Sequence, residues 1–503
     1  MEKPRNPTHM IDIENTLRRM AESDIQQLRL SWCDLHGDLR NKTLMPMAVQ
    51  DALTHGIGMV GTLALKDTSD RTAFKVFEAG HAPQGFANAS NLCLKPDVSS
   101  YQELPWAPGT AWMRGQLFHS DGSAMPFDTR HVLQTALGKL EAQGFGLRCG
   151  LEVEFHIYKI ESSRPQLDPD LAGWPGLPPA VSLIHPGHRL LSEQWADMAD
   201  EPLAIVRQTA RALGLPLTSL EIEFGPSQVE AVFDATDALT AADNMVLFRS
   251  AVVQALRRAG YHATFMCRPP FAHIMSSGWH LHQSLVQLDG GANAFALPAN
   301  PLLEDWYKRA MAAPMPTPAQ LRPLDAASYL SEVGQRYLAG LLAHASAYTA
   351  LTNPTINAYA RFQPNALAPQ SIIWGADNRG AMLRVVAPPS QLSATRIENR
   401  VGEPLANPYV YMASQIYSGL DGMQRQLPAP QATESPYAQS PAAKLPISLA
   451  QALAALQASN VLCEGLGADF VAYFYQIKAQ EMARYEAASD KEDFMRREYF
   501  SRY

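Results

Sequence analysis

Cysteine is scarce in this chain, with five residues in 503 and no CxxC pair among them. Cys33, Cys93, Cys149, Cys267 and Cys463 are scattered and odd in number, which argues for unpaired thiols in a reducing cytoplasm. Long apolar runs are missing too, so no segment is expected to cross a bilayer. The start, Met1-Glu2-Lys3-Pro4-Arg5-Asn6, lacks the apolar stretch of a signal peptide. There is no basic stripe, and a net charge of -8 argues against nucleic acid as the main partner. Neither a GxxxxGK[ST] loop nor a convincing GxGxxG is present, so a phosphate site would have to be built on an open sheet. What remains is an ordinary globular composition, 47% hydrophobic and 18% charged, with a large core and length for several domains.

Periodicity predicts a helix over Ile11 to Ala21, a strand over Gln27 to Cys33, a turn at Leu35-His36-Gly37-Asp38 and a helix over Pro46 to His55 that stops before Gly56. Leu104-Pro105-Trp106-Ala107-Pro108-Gly109 reads as a hinge between domains. Further helices are expected over Arg130 to Gln143, Leu203 to Leu213 and Ala241 to Ala259. Ser162 to His188 reads as a long loop, Pro298 to Pro323 as a Pro-containing insertion, and Pro428 to Pro446 as an exposed connector before a helical tail.

Two near-identical pentapeptides dominate the chain: Leu151-Glu-Val-Glu-Phe155 and Leu220-Glu-Ile-Glu-Phe224. Alternation with period two predicts strands, with Glu152 and Glu154 on one face, Glu221 and Glu223 on another, and apolar residues opposite. A single such strand is usually a sheet with a solvated face. Two copies, on strands otherwise so apolar, favour neutralisation by a divalent cation, and hard oxygen ligands suit Mg²⁺ or Mn²⁺.

The segments that follow add compatible chemistry. Gly225-Pro226 turns the chain so that Glu230 can return to the same site. His280 and His282 share a strand face, a pattern that in isolation is more often a polar sheet surface than a ligand pair. Arg396, Glu398 and Arg400 alternate in the same way, and Arg361, Arg379 and Arg384 add guanidinium groups nearby. Each arginine alone reads as a surface charge; together they suit carboxylates and phosphates. Clustered carboxylates, a histidine pair and several arginines fit a nucleoside triphosphate and a second anionic substrate around divalent metal.

These residues, in this order, resemble the glutamine synthetase family. The resemblance covers most of the chain, from about Gln27 to the helical tail. It rests on Gly150-Leu-Glu-Val-Glu-Phe155, Glu223-Phe-Gly-Pro-Ser-Gln-Val-Glu230, Ala263-Thr-Phe-Met266, Gly278-Trp-His-Leu-His282, Asn353-Pro-Thr-Ile-Asn-Ala-Tyr-Ala-Arg361, Arg396-Ile-Glu-Asn-Arg400 and Ala406-Asn-Pro-Tyr409. It implies an α+β fold: a helical extension over 1–24, a β-grasp domain over 25–108, and over 109–503 a catalytic domain with a curved antiparallel sheet flanked by helices. It also implies a homo-oligomer, typically a dodecamer of two rings, with each site borrowing from a neighbour's amino-terminal domain. By motif, Glu154, Glu223 and Glu230 would hold one metal, and Glu152, His280 and Glu398 the other. His282 and Ser284 would lie on the nucleotide side, Arg361 would hold the carboxylate of L-glutamate, Arg379 and Arg384 would meet ATP phosphates, and Arg400 the transferred phosphoryl group. Glu221 is expected to be structural.

Departures from the family concern the amine. An acidic residue normally precedes Ala-Pro, and Leu367 stands there instead. The family's Phe-Asp-Gly-Ser-Ser segment is replaced by Phe77-Glu-Ala-Gly-His81, where only Glu78 could substitute. A pocket short of carboxylates binds and deprotonates ammonium poorly, whereas an arylamine is already neutral. The expectation is therefore an ATP-dependent ligase of the γ-glutamylamide synthetase branch that couples glutamate to a hydrophobic, aromatic amine, with Leu367 shaping the pocket. Trp374 could line it too, with a core aromatic as the equal alternative. An enzyme for polyamines or alkylamines is the runner-up, ahead of glutamine synthetase proper and a non-catalytic homologue. Met275-Ser276 and Arg268 also replace usual family residues, and no adenylylation segment is recognisable around Tyr437.

Overall fold

The computed structural model describes residues 7–297, 325–362, 368–388, 391–437 and 442–503. Fifteen strands form two sheets among the described residues. The amino-terminal sheet contains β1 (Gln27–Cys33), β2 (Leu39–Leu44), β3 (Ile57–Val60), β4 (Asn91–Pro96), β5 (Gln102–Glu103) and β6 (Thr110–Phe118). Its order is β2-β1-β6-β4-β3, with β5 paired to β6. The expected strand Gln27 to Cys33 and helix Pro46 to His55 form with those bounds, because each has one uninterrupted period and a glycine or turn at its end.

The boundary expected at 108 falls inside this sheet. β6 lies beyond the Pro/Gly hinge, yet pairs in parallel with β1 and antiparallel with β4. The hinge is therefore a turn between strands of one sheet.

The second sheet contains β7 (Phe145–Ser162), β8 (Ala180–Leu183), β9 (Leu217–Ile222), β10 (Gln228–Asp237), β11 (Tyr261–Thr264), β12 (Trp279–Gln287), β13 (Trp374–Ala376), β14 (Leu383–Val386) and β15 (Arg396–Gly402). Its order is β13-β14-β15-β12-β7-β10-β9, and the 18-residue β7 also pairs with β8 and β11. One face is apolar: Leu151, Val153, Phe155, Val229, Ala231, Phe233 and Leu281 are all buried. Phe155 and Phe233 meet Phe248 edge-on, on the helix Ala238–Arg258 that covers this face.

Three expected helices start earlier than the apolar period suggests, at Thr129, Asp200 and Ala238. At Thr129 and Ala238 the reason is a cap: Asp128 accepts from the His131 N–H, and Asp237 from that of Thr240. The loop expected over Ser162 to His188 is not featureless, since β8 and short helical turns interrupt it. Nor is the connector Pro428 to Pro446 uniformly exposed: Ala432 and Leu445 are buried, and Thr433 N–H donates to the Trp374 carbonyl. The insertion at Pro298 to Pro323 lies outside the described residues. No described helix is long and apolar enough to cross a membrane.

The two sheets are joined by buried polar groups. Arg249 donates to the carbonyls of Gly37, Pro404 and Ala406, and Asn407 to those of Asp34 and Leu35. A second junction is ionic. Arg484, on the helix Ala468–Ala487, donates to Asp67 at 2.9 Å and to Glu498 at 2.9 Å. Thr68 and Ser69 also donate to Glu498. Both carboxylates are fully buried. Replacing Arg484 by Met would leave two buried anions without their cation. This is expected to cost about 3–5 kcal/mol, measured by chemical denaturation, and adding Glu498→Gln should recover part of the loss.

Candidate active site

Directly opposed residues on antiparallel strands lie on the same face. β15 sets Glu398 opposite His282 of β12, and β12 sets His280 opposite Glu152 of β7. β7 sets Glu154 opposite Glu230 of β10, and β10 sets Glu230 opposite Glu221 of β9. Arg384 of β14 faces Glu398 in the same row. The polar residues of six neighbouring strands thus share the face opposite the apolar one.

Glu223 departs from its expected place. β9 ends at Ile222, because Gly225-Pro226 turns the chain and the Glu223 N–H closes on the Gln228 carbonyl at 3.0 Å. Phe224, expected to point into a core, is exposed.

His280 is the centre of the cluster. Its Nδ1 lies 3.2 Å from Glu152 and 3.8 Å from both Glu230 and Glu398, and its Nε2 lies 3.8 Å from Glu154. Two groups bring their ligand atoms within 4.8 Å of one another: Glu152, Glu230 and His280, and Glu152, His282 and Glu398. This partition differs from the one implied by motif. Glu152 is common to both groups, and Glu223 belongs to neither.

The second group has a tautomer problem. Arg396 Nε donates to His282 Nδ1 at 3.1 Å. Arginine has no acceptor, so the neutral ring must carry its proton on Nε2, which sits 2.9 Å from Glu152 Oε1. That nitrogen then has no lone pair for a metal, whereas His280 meets no such donor.

The electrostatics call for a cation. Burial raises the Glu230 carboxyl, and Glu154, Glu152 and Glu223 raise it further, to about 10. Burial and Glu154 raise Glu223 to about 7. Burial would raise Glu152 as well, but hydrogen bonds with His280 and His282 outweigh it and hold the group well below the usual range. Glu398 is also pulled down, since Arg400 and His280 outweigh burial. Burial and Arg400 lower the His280 imidazole, favouring its neutral form; with Nδ1 donating to Glu152, the lone pair lies on Nε2, towards Glu154. A partly buried set of hard oxygens beside an imidazole, with most of its positive charge on the Glu398 side, fits a small divalent cation.

Gln228, unremarked in the sequence, orients this set. Its Nε2 donates to Glu154 Oε2 at 3.0 Å and to Ser277 Oγ at 3.0 Å, while the Gly278 N–H also donates to Glu154 Oε2. Oε1 of Glu154 is the oxygen that faces His280 Nε2 at 3.8 Å. Asp377 was missed as well: it accepts from Arg384 Nε and Nη2, while Arg384 Nη1 donates to Glu398. An Asp at a turn carries no sequence signal for that role. Gln228, by contrast, lies inside the Glu223 to Glu230 segment.

Of the remaining candidates, Arg400 is buried and paired with Glu398, Ser284 is half-buried on β12, and Arg379 is exposed on the turn after β13. Arg361 is less free than expected. It is buried and donates to the carbonyls of Arg400, Val401 and Gly402. Three of its five donors are thus committed to backbone. Trp374 takes the core alternative: it is fully buried, packs edge-on to Tyr329 and donates to the Pro430 carbonyl. Leu367 lies outside the described residues.

The comparisons agree with this architecture. A family model described as glutamine synthetase, catalytic domain, matches residues 126–312 and 320–497. The chain is 36% identical to a gamma-glutamylanilide synthase of Acinetobacter sp, over 94% of this chain and 91% of that one. It is 30% identical to a glutamine synthetase of Mycobacterium bovis, over 94% and 96%. Solved structures described as "Apo GmaS without ligand" and "GmaS/ADP complex-Conformation 1" superpose with TM-scores of 0.74 and 0.73, each at 26% identity over 95% of this chain and 98% of theirs. Fold and site define an ATP-dependent carbon–nitrogen ligase. The chain belongs to the glutamine synthetase family.

The raised carboxyls give metal-free protein a definite pH response. Glu230 and Glu223 stay protonated when folded but ionise near pH 4.5 when unfolded. Their stabilising contribution is therefore complete below that pH and is lost as pH rises through about 7 and then about 10. The thermal midpoint of metal-free protein should fall over this window, and added Mg²⁺ should flatten the fall. Glu230→Gln should remove part of the slope and weaken metal binding, measured calorimetrically, by more than about a hundredfold.

Proposed function

We propose that this protein uses ATP to couple L-glutamate to a hydrophobic, aromatic amine, giving a γ-glutamyl amide, ADP and phosphate. The observation that carries this reading is Leu367, in the position where the family places an acid before Ala368-Pro369. An arylamine is neutral at pH 7, needs no carboxylate to hold it, and gains from an apolar neighbour. The name of the Acinetobacter relative, gamma-glutamylanilide synthase, supports the same substrate class. The polyamine alternative depends on Glu78, which is half exposed and already paired with Lys75 at 3.1 Å. Glutamine synthetase proper ranks third, on the names of other relatives.

By the family motif Glu154, Glu223 and Glu230 would hold one Mg²⁺ or Mn²⁺, and Glu152, His280 and Glu398 a second, a division that brings in Glu154 and Glu223 beyond the two groups whose ligand atoms lie within 4.8 Å of one another. Once bound, the metals supply positive charge to the phosphate oxygens. Arg384, fixed by Asp377 and Glu398, and Arg379 bind ATP phosphates, with His282 and Ser284 on the nucleotide side. Arg361 turns its two uncommitted donors to the glutamate carboxylate, and Arg400 offsets charge on the transferred group. A γ-carboxylate oxygen attacks the γ-phosphorus, and ADP leaves. The amine nitrogen then attacks the acyl carbon of γ-glutamyl phosphate, phosphate leaves, and the surplus amine proton passes to it. The amino-terminal sheet is read as a β-grasp domain that completes a neighbour's site in a dodecameric, cytoplasmic enzyme.

Phosphate release measured with ammonium, ethylamine, putrescine, spermine, aniline and chloroaniline tests the proposal. Aniline should outperform ammonium, and Leu367→Glu should shift the ratio of kcat/KM toward ammonium by about tenfold or more. Best activity with putrescine or spermine would overturn it. Arg400→Ala should lower kcat by about a thousandfold with little change in the KM for ATP.

A further inference from the structure

Phe224, Leu190 and Leu191 are large apolar side chains left 40%, 53% and 62% exposed near Glu223, which the proposed function places among the metal ligands. Phe224 follows Glu223 directly, and its N–H donates to Glu223 Oε2 at 3.1 Å. The segment 187–191 is fastened along this turn: the His188 N–H donates to the Phe224 carbonyl at 2.7 Å, and the Leu191 N–H to the Ile222 carbonyl at 3.0 Å. The His188 ring also meets the Phe224 ring edge-on at 5.6 Å. Gly187 lies so close to the next turn that a Cβ there would stand 2.4 Å from Pro226 N.

The backbone shows that this exposure is enforced. His188 and Leu191 have φ of 58° and 53°, a left-handed conformation that non-glycine side chains seldom adopt. Strain of this kind persists only where surrounding bonds over-determine it, and it concentrates at ligand sites. Here four backbone and packing contacts hold two leucines and a phenylalanine in water.

From this arrangement we infer that Phe224, Leu190 and Leu191 form an apolar rim that receives the non-polar substituent of the amine substrate and sets selectivity for amine size. The inference rests on the amine-ligase reading above and adds a second selectivity element to Leu367. An apolar group on the amine covers the rim and removes its surface from water, whereas ammonium gains nothing from it.

Phosphate release measured with ammonium, ethylamine, butylamine, hexylamine, aniline and chloroaniline provides the test. In the wild-type enzyme kcat/KM should rise with apolar size. Phe224→Ala and, separately, Leu190→Ser should flatten that rise by about tenfold between the smallest and largest amines. The KM values for ATP and glutamate should not move, nor should hydroxylamine trapping of γ-glutamyl phosphate. Phe224→Leu, which keeps the rim apolar, should retain most of the gradient and serves as the control for folding. A wild-type gradient that survives both disruptive variants would overturn the rim alone. Absence of any gradient in the wild type would overturn the amine reading together with it. A change in solution mass by light scattering, with the gradient intact, would assign the patch to packing between copies of the chain.

Discussion

Carboxylates that repel one another cannot share one face of a dry sheet unless positive charge is set against them. In this protein that repulsion is greatest at the centre of the second sheet, where Glu154, Glu152 and Glu223 all raise Glu230. Glu152 and Glu154 of β7 and Glu230 of β10 face one another across neighbouring strands; Glu230 is buried and the other two are partly so, which limits the screening that water would provide. His280 stands among them, and Arg384 and Arg400 close the β15 side around Glu398. Among the described residues no arginine pairs with Glu223 or Glu230, and burial with the neighbouring glutamates raises both carboxyls.

The rest of the molecule keeps this cluster in place. The apolar face of the same strands packs against the helix Ala238–Arg258, so no strand can turn over without exposing Phe155 or Phe233. Gln228 and the Gly278 N–H hold Glu154 by one oxygen, and Asp377 holds Arg384. Arg361 binds the backbone at the end of β15, coupling the segment that carries it to the strand bearing Glu398. Buried arginine and asparagine side chains tie the amino-terminal sheet to this body, and the Arg484 junction fixes the carboxy-terminal helix to it.

Much of this was legible in the linear chain, for a simple reason. Strand alternation is a local property, so the faces of Glu152 and Glu154, of His280 and His282, and of Arg396, Glu398 and Arg400 follow from spacing alone. Local signals misled where a neighbour from elsewhere intervened. Phe224 has the spacing of a core residue, but Gly225-Pro226 ends the strand before it can be covered. The Pro/Gly stretch near residue 108 has the composition of a domain linker, yet β6 returns to the first sheet. Trp374 could have lined a pocket or a core, and only the packing of Tyr329 and Pro430 against it decided.

By itself, then, the sequence determined the chemical types available to the site and which of them share a strand face, because both depend on residues one or two positions apart. Only the tertiary structure decided which faces meet, through the register of β15, β12, β7, β10 and β9. It alone brought the candidate ligand atoms within reach of one another, and it set Arg396 against His282 Nδ1 across 114 residues of chain. It also placed the strained 187–191 segment beside Glu223. Such couplings depend on distance in space, and no periodicity along the chain encodes them.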